Sequence, residues 1–345
     1  MSLTTNIKSA WLEADSNQKI ALVIIGLWVM VALLAPILAP FEYDKILGGN
    51  SSLLPPMGTS TAGLHLLGTD TLGRDVTSGM IHGARVSFIV CLLVISSSLV
   101  IGLLIGTVMG YFGDRGIKFN FIQLLWLAAC IFFITYYKLD VLFHGLTKWS
   151  AFMVLLFTIL VFSGLYMLDK LNLKKYNFPV DVIWQRVFEV KESLPNLFII
   201  LAIAAIIAKP SLWTLSFTLI ILYWVTFARY ARIEMMRVKE EDYIMAAKAE
   251  GVSTYQLITK HALPNIMGPL LVVIAFSLSG VILIESSLSF LGIGLPLQEV
   301  TWGKLLAEAR KSSSAWWLAL FPGLAIFALI YAFNTLADMI RSRTN

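Results

Sequence analysis

Eight stretches of this 345-residue chain are apolar over the length of a membrane span, and no other feature restricts its fold as strongly. A helix needs about 20 consecutive apolar residues to cross the hydrocarbon core. Runs at roughly 20–40, 86–110, 119–137, 149–168, 183–208, 212–231, 266–290 and 316–340 meet that length, some with polar interruptions. Lipid offers the backbone no hydrogen-bond partner, so a span is either a helix or a strand of a closed barrel. The strand-period alternation over about ten residues that marks a barrel is absent. The expected fold is an all-α integral membrane protein, a polytopic helical bundle. Composition agrees, with 58% of residues hydrophobic and 14% charged, against about 25% charged in soluble domains.

The net charge is +5, but the basic residues are scattered between apolar runs instead of gathered on one face or in a tail. They read as topology signals and not as a nucleic-acid surface. Basic residues accumulate on the cytoplasmic side; with the N-terminus inside, roughly two-thirds of the 26 Lys and Arg fall on that side. This predicts a multi-pass protein of the cytoplasmic (inner) cell membrane with both termini cytoplasmic. The first run, Ile20 to Pro40, is longer than the about 7–15 apolar residues of a secretion signal and closes on Ala39-Pro40-Phe41, so a retained helix is expected. Cys91 and Cys130 lie inside apolar runs with no evident partner. Two longer outside connections, Phe41 to Arg85 and Gly292 to Ala315, are marked as loops by Gly and Pro, and either meet a partner or cap the bundle.

One inside connection is too polar for lipid and too ordered for a linker: "YIMAAKAEGVSTYQLITKHALPN", Tyr243 to Asn265. Tyr243, Ala246 and Ala247 recur at i, i+3, i+4, which places them on one helical face. Gly251 suits the left-handed position that ends a helix. Ser253 with Gln256 forms a capping-box pattern that starts another, and Pro264 is expected to stop or kink it. The prediction is helix, glycine turn, helix on the cytoplasmic face. It is either an amphipathic connector on the lipid surface or a contact for another protein; the small Ala246 and Ala247 side chains favour the protein contact.

"AAKAEG" followed by "HALPN" resembles the EAA loop of permease subunits of binding-protein-dependent ABC importers. The pattern falls on Met245, Ala246, Ala247, Gly251, Leu263 and Pro264, with Met245 standing where the pattern has an acidic residue. "HLLGTDTLGRDVTSGMIHGARVSF" (His65 to Phe88), "ESSLSFLGIGLPLQEVTWGKLLAEAR" (Glu285 to Arg310) and "WWLALFPGLAIFALIYAFNTLADMIR" (Trp316 to Arg341) are similar, in the same order, to segments of the dipeptide/oligopeptide/nickel permeases. The resemblance implies a type I ABC importer permease that pairs with a homologous second permease subunit. It also implies two cytoplasmic ABC ATPase subunits below, which carry the ATP and Mg, and an extracytoplasmic substrate-binding protein outside. Di- or oligopeptides are the implied cargo, with nickel chelates or other peptide-like solutes as the alternative. Tyr243, Ala246, Ala247, Gly251, Leu263 and Pro264 are the implied ATPase-coupling residues. About eight spans are expected, six like the family and two inserted. The implied organisation is a cytoplasmic N-terminus at 1–19 and first spans at 20–118 with an outer loop at 41–85. An inserted pair follows at 119–180, then a permease core at 181–345 that contains the coupling loop 237–265.

The chain lacks a phosphate loop: Gly303-Lys304 is followed by Leu305, and Gln298 occupies the leading glycine position. No enzyme activity and no cofactor of its own are therefore expected. His65, His82, His144 and His261 are widely separated, which argues against a metal site. "DTLGRD" (Asp70 to Asp75) lacks the spacing of a calcium loop and reads as a hydrogen-bonded turn. Glu285 lies about 28 Å along its helix from Ile266 at ~1.5 Å per residue, near the outer surface. It either reaches water or a neighbouring helix, or serves an outer gate of the pathway. Glu189, Lys191 and Glu192 interrupt the fifth run, and Pro195 is a candidate bend there. A secondary transporter would show midplane coupling carboxylates and paired repeats, which are not evident; a membrane scaffold would not need the glycine turn.

Overall fold

The computed structural model describes residues 15–43, 51–114, 116, 118–120, 175–177, 179–207, 211–293, 299–312 and 314–344. Two compact units divide the chain, residues 1–107 with 190–345, and residues 108–189. Among the described residues five helices are long and apolar enough to cross a membrane. In chain order the elements begin with α1 (Ser16–Leu38), the strands β1 (Gly58–Ser60) and β2 (Gly63–His65), and α2 (Val76–Phe112). After β3 (Lys118–Asn120) and β4 (Lys175–Asn177) come α3 (Val180–Ser193), α4 (Asn196–Ile206), α5 (Leu212–Val238) and α6 (Asp242–Ala249). The short α7 (Thr254–Gln256) passes through a π-helical turn (Leu257–Ala262) into α8 (Leu263–Phe290), followed by α9 (Trp302–Ala309) and α10 (Trp317–Thr344).

The spans expected at 20–40, 86–110, 212–231, 266–290 and 316–340 correspond to α1, α2, α5, α8 and α10. Of the run expected at 119–137 only residues 119 and 120 are described, as part of β3, and the run expected at 149–168 lies outside the described residues. The run 183–208 is not one span: it breaks into α3 and α4, with Pro195 at the N-cap of α4. The cause is chemical. Asp181, Arg186, Glu189, Lys191 and Glu192 make α3 half polar, and Pro195 has no N–H to continue the ladder. Glu189 pairs with Arg186 at 2.6 Å and Glu192 with Arg229 at 2.7 Å, all four well exposed.

In the first unit α8 packs most extensively against α10 and next against α5 and α9, while α10 also covers α1. The main apolar cluster includes Trp28, whose ring meets Phe88 and Phe333 edge to face at 5.4 and 5.7 Å. α2 approaches α5 through Gly102 and Gly106. A Cβ on Gly106 would fall 2.7 Å from the Ala231 Cβ and 3.0 Å from the Arg232 nitrogen, so this small-residue pair sets the interhelical distance. Gly106→Ala is expected to destabilise the bundle by about 1–3 kcal/mol through overpacking, read as an earlier unfolding transition in detergent; an unchanged transition would contradict the close approach.

The connection 41–85 is more structured than a loop. α2 starts at Val76, ten residues before the apolar run, because Asp75 caps it: the Asp75 Oδ2 accepts from the Ser78 amide at 2.7 Å and from the Ser78 hydroxyl at 2.9 Å. The other Asp75 oxygen lies 2.8 Å from His65 Nδ1, and His65 Nε2 meets Ser60 Oγ at 2.9 Å, which ties the β1–β2 hairpin to the helix start. Asp70 Oδ1 accepts the Leu72 and Arg74 amides, both at 2.8 Å, so the "DTLGRD" stretch is the hydrogen-bonded turn expected from its spacing. Trp317 Nε1 donates to the Thr69 carbonyl at 3.1 Å, and Trp302 Nε1 to the Met80 carbonyl at 2.9 Å. These bonds fasten the turn and α9 to one end of the bundle. Burial raises the Asp70 carboxyl and, together with the Asp70 charge, pushes the Tyr43 phenol up to about 12. In the second unit β3 pairs with β4 antiparallel, which sets Asn120 opposite Lys175.

Candidate functional site

At the opposite end of the first unit, α6 follows α5 through a tight turn. Arg237 on the last turn of α5 bonds Glu234 at 2.9 Å and Glu241 at 3.3 Å, which holds the entry to α6. α6 is eight residues long and has one anchor: Ile244, 2% exposed. Tyr243 and Met245 flank it at 42% and 52% exposure, and Ala246 is also exposed while Ala247 is half-buried. The face Tyr243–Ala246–Ala247 thus points largely outward, and Ile244 pins the helix beneath it. The Tyr243 phenol is held above its ordinary range, by partial burial first and the Glu241 carboxylate next.

Gly251 ends α6 in the left-handed conformation expected of it, at φ +85°. The Val252 amide reaches back to the Ala247 carbonyl at 3.1 Å and the Gly251 amide to the Lys248 carbonyl at 3.1 Å, which satisfies carbonyls at the helix end. Ser253 then starts the next helix, its Oγ accepting the Gln256 amide at 3.4 Å. Of the two outcomes expected at Pro264, a stop or a kink, the stop does not occur. Over Leu257–Ala262 the ladder widens to π geometry, with the Leu263 amide donating to the Ile258 carbonyl. The wide turn accommodates the pyrrolidine ring, and the Asn265 side-chain amide takes up the His261 carbonyl at 2.6 Å. Segment 254–290 is therefore one continuous helical rod in which Leu263 is half-buried and Pro264 exposed. Leu257, 1% exposed, is its inward anchor. Sequence reasoning missed both Ile244 and Leu257, whose only signal was a large aliphatic side chain amid small and polar neighbours.

Glu285 sits far from this segment, near the other end of α8. It is 1% exposed and does not reach water. Three hydroxyls donate to its carboxylate: Ser289 at 3.0 Å, Ser87 at 3.2 Å and Ser286 at 3.3 Å. Ser87 belongs to α2, so the carboxylate bridges two helices. Gly303 on α9 packs against the adjoining Ser286 backbone and Ser289 Cβ. Lys304, also on α9, is lowered to about 8, by burial first, and donates to the Glu299 carbonyl at 2.6 Å.

These features define the class: a polytopic helical membrane protein with an anchored helix–glycine turn–helix exposed at one end of its bundle. Residues 161–345, more than half the chain, match the family described as binding-protein-dependent transport system inner membrane component, and the chain belongs to that family. It is the non-catalytic transmembrane permease of a binding-protein-dependent ABC importer. It is 26% identical over 340 residues to the dipeptide transport system permease protein DppC of Alkalihalophilus pseudofirmus, covering 96% of this chain and 88% of that one. A putative peptide transport system permease protein of Brucella suis is 29% identical over 315 residues, 91% and 83% of the two chains. The oligopeptide transport system permease protein OppC of Bacillus subtilis is 23% identical over 337 residues, 97% and 87%.

Proposed function

We propose that this permease imports di- or oligopeptides across the inner membrane by alternating access, driven by two ATPase subunits that contact α6 from the cytoplasm. A homologous second permease completes the channel, and an extracytoplasmic binding protein delivers the cargo. The observation that carries the coupling is the outward Tyr243–Ala246–Ala247 face, held by a buried Ile244 beneath it and stopped by Gly251. A helix fixed by one anchor with small residues outward offers a shallow surface to a partner and transmits a push as a rigid unit into the continuous rod 254–290. Peptide cargo is supported by what the similar permeases are said to transport. Cytoplasmic termini are supported by the distribution of Lys and Arg. Segment 119–180 is read as an inserted pair of spans, and the β3–β4 ladder supports this by bringing together the two chain ends that flank 121–174.

Ala246→Arg tests the coupling face. Ala246 is exposed, and arginine costs a helix only a few tenths of a kcal/mol, so insertion and bundle stability should be unchanged. Copurification of the ATPase and uptake of a labelled dipeptide are expected to drop together. Full ATPase recovery with normal uptake would remove α6 from the coupling path. Nickel-dependent uptake with no peptide uptake would instead favour chelate cargo.

A further inference from the structure

A groove of about 540 Å³ opens between α8, α9 and α10 at the end of the bundle away from α6, within the ~300–1,000 Å³ of small-molecule sites. Leu283, Phe290 and Leu291 of α8, Leu306 of α9, and Gly323 and Ile326 of α10 form its walls. Its two serines leave no hydroxyl proton unused: Ser286 donates to Glu285 at 3.3 Å and Ser287 to the Leu283 carbonyl at 2.7 Å. The walls therefore suit hydrocarbon. From Leu291 to Leu283 the groove runs about 12 Å along α8 at ~1.5 Å per residue, most of the ~15 Å that is half of a ~30 Å bilayer core. Trp316, 54% exposed and one residue before α10, stands as an interfacial tryptophan does; Gly323 lies about 10 Å deeper along that helix. An acyl chain of one leaflet matches this depth, whereas a helix crossing the whole core would run past it.

At the mouth of the groove stands a cation without a counter-ion. The Arg310 guanidinium is exposed, lies 4.6 Å from the centroid of the Phe290 ring and donates one N–H to the Phe290 carbonyl at 3.3 Å. Among the described residues it enters no ion pair; the Glu308 carboxylate, two residues before it, is taken by Lys311 at 2.6 Å and by the Thr71 hydroxyl. The remaining N–H groups of a guanidinium form a planar fork that matches a phosphate. We infer that this groove holds a phospholipid, with one acyl chain between α8 and α10 and the phosphodiester on Arg310. An apolar cleft with an anion site at its rim receives the two halves of one amphiphile.

The test places the complete transport system in lipid nanodiscs with phosphatidylglycerol that carries a photoactivatable diazirine in one acyl chain, and maps the labelled peptides by mass spectrometry. Labelling of α8 around Leu283–Leu291 and of α10 around Gly323–Ile326 should exceed that of α1 around Leu33 and Ile37, which are 65% and 81% exposed and sample bulk lipid. The expected excess is about tenfold, the factor that one charge-assisted contact supplies. Arg310→Ala alters an exposed side chain, and Gly323→Leu fills the groove, since nothing lies within 4 Å of the position of its Cβ. Each should bring the groove down to the level of α1. A diacylglycerol probe, which lacks the phosphate, should label groove and α1 alike. Equal labelling of groove and α1 by the phosphatidylglycerol probe means bulk lipid only and overturns the site. A groove left unlabelled while α1 labels means that protein, such as the second permease, covers it, and overturns the site as well. Enrichment that survives Arg310→Ala overturns the headgroup contact. The readout is labelling and not uptake, so failure here leaves the importer reading untouched.

Discussion

In the Gly251→Val variant, ATP-driven uptake is expected to fall roughly tenfold or more while the protein still inserts and accumulates in the membrane. Gly251 adopts φ +85°, and nothing lies within 4 Å of the position a Cβ would take, so a clash is not the cause. The cost is in the backbone: a left-handed L-residue is disfavoured by about 1–2 kcal/mol, and a β-branched one by more. Relieving that strain requires the turn to open. Opening it breaks the Val252-to-Ala247 and Gly251-to-Lys248 bonds and releases the end of α6. Because each 1.4 kcal/mol is a factor of ten in population, the correctly turned state loses roughly tenfold against the opened one. Gly251→Asn is the companion variant, since asparagine tolerates the left-handed region, and should retain most of the uptake. Equal loss in both variants would point to the side chain and away from the turn. Normal uptake by a fully assembled Gly251→Val complex would remove the turn from coupling.

The parts of the fold legible in the sequence were those governed by the solvent. Lipid demands length and continuous apolarity, so α1, α2, α5, α8 and α10 fell where the runs were. Where protein contacts decide, the sequence was silent or misleading. Residues 76–85 hold Gly79 and Gly83 among polar neighbours and look like loop, yet those glycines are helical and admit Tyr43 and Trp302 against α2. The same applies to α9, which reads as part of a Gly/Pro connection but is started by Thr301, whose hydroxyl accepts the Lys304 amide at 3.2 Å. Pro264 obeys its local rule only until the chain widens into a π turn, a compensation that no residue advertises. In the candidate site, Gly251 and the Ala246–Ala247 surface were legible because turn chemistry and helical spacing are local. Ile244 was not, because an anchor is defined by what it packs against.

Glu285 shows how burial alters a reading made from helix length alone, and its substitution should separate two roles. Counting along α8 placed the carboxylate near the outer surface, where it could reach water or a neighbouring helix. The structure shows the neighbouring helix and not water: the carboxylate is enclosed among Ser87, Ser286 and Ser289, with α2 and α8 joined through the Ser87 bond. Replacement by leucine keeps comparable volume but leaves those hydroxyls facing a hydrocarbon group. Ser286 and Ser289 lie on a helix and have backbone carbonyls one turn back to turn to, so the lasting loss is the bridge to α2 and the desolvation of whatever remains unpaired, about 1–3 kcal/mol. Glu285→Leu is therefore expected to accumulate poorly and to lose uptake in proportion. Glutamine retains a carbonyl acceptor, and its amide N–H groups donate to hydroxyls free to rotate and accept. Glu285→Gln should then keep membrane abundance near the parent level and uptake within about a factor of ten, the range that ~1 kcal/mol of altered hydrogen bonding allows. Abundant Glu285→Gln protein with no uptake would mean that the charge itself is used in transport, and would move Glu285 from a bridge between helices to a gate.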